Sequence, residues 1–174
     1  MLQNGLLDDR EHSMSGTPPP LSNLDPILLA SRWLCGDLLP EDVPKTAIEL
    51  IEAGCEELSV CRVAAEVKVN SRDDVEALLE RMFAALGVEY PMSLEDARQT
   101  VARQIAREVV AGRRDPWTAA TRLDRAVPHW ETQDQNILDV YCTADEADWD
   151  PGYGRSGPTL ELELIQAFEK LACS

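Results

Sequence analysis

The segment PHWETQDQ, residues 128–135, carries the residue types most typical of acid–base chemistry. In it His129 lies two residues before Glu131 and five before Asp134. An imidazole beside a carboxylate can take up and release a proton, so the segment could supply a general base. The spacing matches no catalytic triad and no metal-binding motif. We therefore keep His129 and Glu131 as an alternative site, assign no catalytic residue, and favour a non-catalytic protein while leaving enzymatic activity open.

A second candidate is Arg98, one of five arginines in the segment SLEDARQTVARQIAREVVAGRRDP, residues 93–116. At 100° per residue, Arg103 and Arg107 share a polar face that we expect to be solvated, whereas Arg98 falls inside the apolar sector. An unpaired charge buried there would be strongly destabilising. We therefore predict that Arg98 extends past the incompletely covered first turn into solvent, or pairs with a carboxylate of a neighbouring helix; alternatively, it lines a pocket for an anionic ligand. The apolar sector consists of Leu94, Val101, Ala102, Ile105, Ala106 and Val109.

The distribution of charge along the chain is uneven. The sequence has 16 basic and 32 acidic side chains, with nets of −12 over residues 1–97, +4 over 98–125 and −8 over 126–174. This balance argues against binding to nucleic acid or to an anionic membrane surface, because both repel a negative protein. A basic protein partner would be attracted. We predict that the arginine-rich segment binds the chain's own acidic segments and acts as an internal electrostatic clasp.

An acidic, aromatic segment, DEADWDPGYG, follows at residues 145–154, inside a predicted exposed loop at about 143–158. Aromatic rings in a negative field suit the capture of a basic protein surface, although Trp149 could instead pack back onto the core. The spacing does not match a calcium-binding EF-hand loop. The candidate partner-binding residues are Asp145, Glu146, Asp148, Trp149, Asp150 and Tyr153.

The elements that must position these residues are successive short helices. Helix starts are predicted at Asn23 or Asp25, at Ser71, at Ser93 and at Asp115, each a residue type that caps helix N-termini. Helix ends are predicted at four glycines, and Ala47, Ile48, Leu50 and Ile51 are the core candidates of the second helix. Residues 58–69 and 159–165 fit either a helix or a strand, with helix favoured. The glycines are Gly36, Gly54, Gly87 and Gly112.

These patterns predict one all-α domain over residues 21–174, built as a helical bundle or a short stack of helical hairpins, after a disordered tail at 1–20. The stretches WLCGDLLPEDVPKTAIELIEAG and LEDARQTVARQIAREVVAGRRDPWTAA resemble a loose set of small helical bacterial proteins. The similarity covers roughly residues 30–120. It implies an all-helical fold and, since its motifs are helix ends and core positions, carries over no functional residue.

Several further features of the sequence limit the possible location, cofactors and function of the protein. The chain has no apolar run long enough for a membrane span and no secretory signal, so we expect a cytoplasmic protein. Five cysteines without a CxxC pair are expected to be buried free thiols, and neither a metal nor a cofactor is predicted. The partner's identity, the pathway and the oligomeric state are left open, as is whether Met1 or Met14 is the true start.

Three hypotheses follow for the function. The first is a non-catalytic acidic protein that binds a basic protein partner, as an immunity protein, an antitoxin or an adaptor does. The second is a helical ligand-binding or enzymatic domain with an anion pocket around Arg98. The third is a mimic of nucleic acid, which would need carboxylates spaced like phosphates.

Overall fold

The computed structural model describes residues 22–148 and 157–174, and this part of the chain forms helices and no strand, as predicted. Short 3-10 turns occur at Pro40–Asp42 and His129–Glu131. The predicted tail at residues 1–20 lies outside the described residues. The helices are α1 (Pro26–Leu34), α2 (Val43–Glu52), α3 (Leu58–Ala64), α4 (Glu76–Ala85), α5 (Leu94–Val110), α6 (Pro116–Ala126), α7 (Gln135–Asp148) and α8 (Gly157–Cys173).

Side-chain caps begin three of these helices at residues that the sequence indicated. The cap predicted at Ser71 was wrong, because α4 begins at Glu76 without a side-chain cap and the Ser71 N–H donates instead to the Asp74 carboxylate. The Asp25 carboxylate accepts hydrogen bonds from the backbone N–H groups of Ile27 and Leu28 at the start of α1. The Ser93 hydroxyl accepts one from Asp96 in α5. The Asp115 carboxylate accepts one from Thr118 in α6. Each cap satisfies backbone donors that the first turn of a helix leaves without a partner, which fixes the helix start.

The two segments of uncertain type are resolved as helix. α3 covers the first part of residues 58–69, and the remainder forms no regular structure. α8 includes all of residues 159–165, with Leu160, Leu164 and Phe168 on its buried face. The loop predicted at 143–158 includes residues that are helical, because α7 continues to Asp148 and α8 begins at Gly157. The helix-forming sequence TADEAD contains no breaker that would end α7 earlier.

The core has two parts, one in each half of the chain. The first is formed by α1 to α4 around the fully buried rings of Trp33 and Phe83. The second is formed by α5 to α8 around Ile105 and Phe168. The halves meet where α5 packs against α1, and α5 also packs against α6 and α8. α5 is therefore the central helix, with neighbours from both halves.

This central position corrects the predicted faces of α5. A helix with neighbours on several sides is covered beyond one apolar stripe, so Gln104 and Glu108 are buried although both are polar. Arg103 and Arg107, which we expected on a solvated face, are only partly exposed. Leu94, predicted to face the core, is exposed in the first turn. The sequence pattern located the helix but underestimated how much of it is covered.

α5 ends at Val110, and two residues later the backbone turns at Gly112, where φ is +66°. The Gly112 N–H donates to the carbonyl of Val109 at 2.8 Å, and the Arg113 N–H donates to that of Glu108 at 2.9 Å. This pair of bonds satisfies two carbonyls at the helix end, and it requires a left-handed residue that glycine adopts without strain. Gly36, Gly54 and Gly87 also have positive φ after α1, α2 and α4, as predicted for helix-ending glycines.

Replacing Gly112 by alanine should lower the free energy of unfolding by about 1 kcal/mol, because the left-handed backbone is strained for any residue with a Cβ. No atom lies within 4 Å of the added Cβ, so the cost is conformational and not steric. Urea unfolding measures it. Gly157→Ala is the matched control, since Gly157 is helical without a positive φ and its Cβ also meets nothing. An equal loss in both variants would contradict the assignment.

Candidate functional site

Arg98 and Glu131, which the sequence placed in two separate candidate sites, form an ion pair. The Arg98 guanidinium also donates to the backbone carbonyl of Glu131 at 3.3 Å. Its side chain is only 14% exposed, and the contact ties the first turns of α5 to the 3-10 turn before α7. An internal carboxylate thus compensates the charge in the apolar sector of α5, and an anion pocket around Arg98 stays a prediction.

His129 has a different acidic neighbour from the one expected. Its Nδ1 atom lies 3.2 Å from a carboxylate oxygen of Asp124, at the end of α6. Both side chains are about half exposed. The imidazole ring contacts the edges of Trp130 and Tyr141, with centroids 4.7 Å and 6.2 Å away. This pair could exchange a proton with solvent, but among the described residues no hydroxyl or thiol is hydrogen-bonded to His129 for it to activate.

The Tyr141 hydroxyl beside this pair has a structural partner. It donates to the backbone carbonyl of Val127 at 2.5 Å. Burial raises the pKa of Tyr141 far above its ordinary value, and the charge of Asp124 adds to the rise. The phenol is therefore protonated at neutral pH and holds the turn after α6.

The acidic segment after α7 is described only in part. Asp145 and Glu146 are exposed in the last turns of α7. The side chain of Asp148 and the whole of Trp149, Asp150 and Tyr153 lie outside the described residues. The role of this segment in binding a partner stays a prediction.

The five cysteines all lie within the described residues, and no disulfide joins them. Three are exposed and two are partly buried, so the expectation of five buried thiols was wrong. The three exposed cysteines are Cys61, Cys142 and Cys173, which lie on outward faces of their helices or at a helix end. The residue type alone did not indicate which face of a helix each cysteine occupies. Burial raises the pKa of the Cys35 thiol to about 11; the nearby Arg98 charge opposes this rise and Asp37 adds to it.

A network of charged side chains connects the two halves of the chain. Asp37, in the loop after α1, accepts two hydrogen bonds from Arg122 of α6, at 2.8 Å from Nε and 2.6 Å from Nη2. Asp37 also accepts one from Arg32 at 2.8 Å. Parallel bonds between a guanidinium and a carboxylate are directional and stronger than bonds between neutral groups. The network therefore fixes the loop after α1 against α6.

Glu108 of α5 extends this network. Its carboxylate accepts a hydrogen bond from Arg114 at 2.7 Å and contacts Arg122 at 3.4 Å. Three arginines thus share two carboxylates that are each only 9% exposed as side chains. The burial of Glu108 was not predicted from the sequence, because a glutamate on a helix is usually exposed to solvent and its spacing from the apolar residues did not indicate otherwise.

Burial and ion pairing shift the pKa values of Asp37 and Arg122. Burial alone would raise the pKa of Asp37, but the hydrogen bonds and charges of Arg122 and Arg32 outweigh it, so this pKa lies below its ordinary value. The hydrogen bond with Asp37 raises the pKa of Arg122. Both groups therefore stay charged at neutral pH and stabilise the folded chain through their pairing.

The hairpin of α2 and α3 presents a different kind of surface. Ile48 and Ile51, predicted to be core residues, are 46% and 38% exposed, and Leu58 is 64% exposed. The core contacts of α2 come instead from Val43, Ala47 and Leu50, spaced four and three residues apart. Because these three residues form the buried stripe of the helix, the two isoleucines lie outside it, on the side of the helix next to the stripe. They lie with Leu58 toward the turn end of the hairpin.

Three exposed glutamates lie close in sequence to these exposed apolar side chains. Glu52, Glu56 and Glu57 occupy the end of α2 and the turn before α3, and all three are exposed. None of them forms an ion pair with a residue in the described ranges 22–148 and 157–174. We call Ile48, Ile51, Leu58 and these three glutamates the hairpin surface. Apolar side chains at the centre of a charged rim are typical of protein interaction sites.

Replacing Asp37 by asparagine should lower the free energy of unfolding at pH 7 by about 2 kcal/mol, because two partly buried guanidinium groups lose their carboxylate. The folded-state pKa of Asp37 lies below its ordinary value of 3.8. The advantage of the wild type is therefore complete well above that value and disappears as the pH falls through the lower folded-state pKa. Urea unfolding at a series of pH values measures both effects.

Glu41→Gln is the matched control for this experiment, since Glu41 is exposed and has no ion pair with a described residue. We expect it to change the free energy of unfolding by less than about 0.5 kcal/mol. An equal loss in both variants, or a difference for Asp37→Asn that persists in acid, would contradict the role of the Asp37 carboxylate.

Comparisons with protein-family models, with curated proteins and with solved structures find no match for this chain. In the part of the chain that the structure describes, no three His, Cys, Asp or Glu side chains are grouped so that they could hold a metal ion. Among its helices, none combines the length and the apolar character that crossing a membrane requires. The geometry of the described residues is thus the basis for any functional assignment.

Proposed function

We propose that this protein is a non-catalytic, acidic interaction protein that binds a positively charged protein partner. The observation that carries the proposal is the hairpin surface, where one helical hairpin exposes isoleucine and leucine side chains together with glutamates that have no ion pair in the described structure. Immunity proteins, antitoxins and small adaptors are classes of protein that act in this way.

Charge supplies the first step of such binding. Between residues 40 and 66 the chain has seven acidic and two basic side chains. The arginines that could neutralise acidic surface are partly engaged elsewhere, since Arg98, Arg114 and Arg122 pair with Glu131, Glu108 and Asp37. Exposed carboxylates that lack such partners attract a basic surface over several ångströms and accelerate its association. The hairpin surface is therefore suited to a partner rich in lysine and arginine.

The exposed apolar side chains supply the second step. Ile48, Ile51 and Leu58 lose contact with water when a partner covers them, and this contributes affinity that long-range charge does not. Because the same hairpin also exposes glutamates, a complementary surface combines aliphatic side chains with basic ones. This combination distinguishes a specific partner from a polycation that binds any acidic protein.

The acidic end of α7 could add a second contact. Asp145 and Glu146 are exposed there, and the sequence continues into the predicted partner-binding residues Trp149, Asp150 and Tyr153. A nucleic-acid mimic would present similar carboxylates to a basic partner, so the class of protein captured separates that alternative from the others. A partner that binds nucleic acid through the same surface would favour mimicry.

The test compares the wild-type protein with a variant whose hairpin surface has reversed charge, Glu52→Lys/Glu56→Lys/Glu57→Lys. Each is used for affinity capture from the native lysate at low salt and at about 0.5 M salt, where exposed charges are largely screened. We expect a basic protein that the wild type retains at low salt and releases at high salt. The variant should fail to retain that same protein, because reversed charge repels it.

The matched control is Glu80→Lys/Glu161→Lys/Glu169→Lys, which makes the same change in net charge at exposed positions of α4 and α8. This control should retain the partner at low salt, and Ile48→Ser/Ile51→Ser should weaken that low-salt retention. Capture of only acidic or neutral proteins, or equal loss of the partner in both charge variants, would contradict the proposal.

A further inference from the structure

A cavity of 660 Å³ lies between the loop after α1 and the outward face of α6. α6 contributes Thr118, Thr121, Arg122 and Arg125, which are spaced so that they share one side of the helix. Arg114 borders the cavity at the end of α5. Of the charged side chains that line the cavity, three are arginines and one is an aspartate, Asp37. This lining is positive in a chain whose formal net charge is −16.

The three arginines differ in how far their charges are compensated. Arg122 binds Asp37 through two nitrogens, so its charge is largely used within the protein. Arg114 binds Glu108 through Nε, and no other ion pair of Arg114 occurs among the described residues. Arg125 is exposed and has no ion pair in the described structure. Donor groups of Arg114 and Arg125 are therefore available to an anion that enters the cavity.

The remaining wall is apolar. Leu39 is exposed beside the cavity, and Trp117 and Ala126 line it from α6. Small-molecule sites commonly combine an apolar wall with a few polar groups that fix the orientation of the ligand. An indole also offers a flat surface on which an aromatic or sugar ring can stack.

We propose that this cavity binds a small phosphorylated molecule that has an apolar or aromatic body. The phosphate group lies between Arg114 and Arg125, and the body lies against Trp117 and Leu39. A phosphate monoester carries between one and two negative charges near neutral pH, which agrees in sign with a lining of three arginines and one aspartate, where Glu108 compensates part of the charge of Arg114. Guanidinium groups also match the geometry of phosphate oxygens. This site is separate from the hairpin surface and does not depend on it.

Isothermal titration of the full chain with phenyl phosphate, inorganic phosphate and phenol at low ionic strength tests the proposal. We expect saturable binding of one phenyl phosphate per chain, weaker binding of inorganic phosphate, and no binding of phenol. Arg125→Ala should weaken the binding of phenyl phosphate by about tenfold, because it removes one charged donor. Since Arg125 has no ion pair among the described residues, the substitution should leave the fold intact.

The matched control is Arg81→Ala, which removes an exposed arginine from α4, outside the cavity. It should leave the affinity for phenyl phosphate unchanged. A second readout is the indole N–H resonance of Trp117, assigned with Trp117→Phe, which should shift when phenyl phosphate binds. The proposal is overturned if phenyl phosphate shows no saturable binding up to about 10 mM. It is also overturned if both arginine variants lose affinity equally, or if the Trp117 resonance does not move.

Discussion

The carboxylate of Asp37 holds two arginines from different parts of the chain, and the arrangement of the two helical halves depends on this contact. Each half has its own apolar core, so burial of hydrophobic surface stabilises each one without fixing how the loop after α1 meets α6. Arg122 of α6 fixes that relation through two directional hydrogen bonds to Asp37, and Arg32 holds Asp37 to α1. The packing of α1 against α5 and this contact together connect the halves.

The same network determines which charges face outward. Arg122 and Arg114 are turned toward Asp37 and Glu108, and Arg98 is turned toward Glu131. These arginines therefore do little to neutralise the exposed glutamates of the α2–α3 hairpin. The expected internal clasp between basic and acidic segments has a structural counterpart in the pairs Arg98–Glu131 and Arg122–Asp37, whereas Arg114 pairs with Glu108 inside the basic segment itself. It links particular arginines to particular acids, and the local clustering of arginine in the sequence does not reveal those partners.

Local features of the sequence were sufficient to predict the all-α fold and many helix boundaries. Asp25, Ser93 and Asp115 cap helices through bonds that span only two or three residues, so neighbouring residues alone determine them. Positive-φ glycines end helices for an equally local reason. The faces of a helix depend instead on what packs against it. Ile48 and Ile51 of α2 were predicted to be buried and are exposed, and the burial of Glu108 was not predicted at all. No local pattern records the position of a distant helix.

The candidate sites show the same difference between local features, which the sequence predicted, and long-range contacts, which it did not. Arg98 was identified from its place in an apolar sector, whereas its partner Glu131 lies 33 residues away and was assigned to a different site. Asp37 and Arg122 are 85 residues apart, and neither was singled out from the sequence. Ion pairs between distant segments follow from the packing of the helices that carry them. A single sequence without its fold therefore indicates which charges need partners more readily than which partners they find.

A double-mutant cycle between Asp37 and Arg122 tests the central claim most directly. The free energy of unfolding is measured for the wild type, Asp37→Asn, Arg122→Gln and the double variant, at low and at high salt. A coupling energy of about 2 kcal/mol that salt reduces only slightly is expected for a doubly hydrogen-bonded, partly buried pair. A coupling below about 0.5 kcal/mol, as measured for exposed ion pairs, would contradict the claim that this contact joins the two halves of the fold.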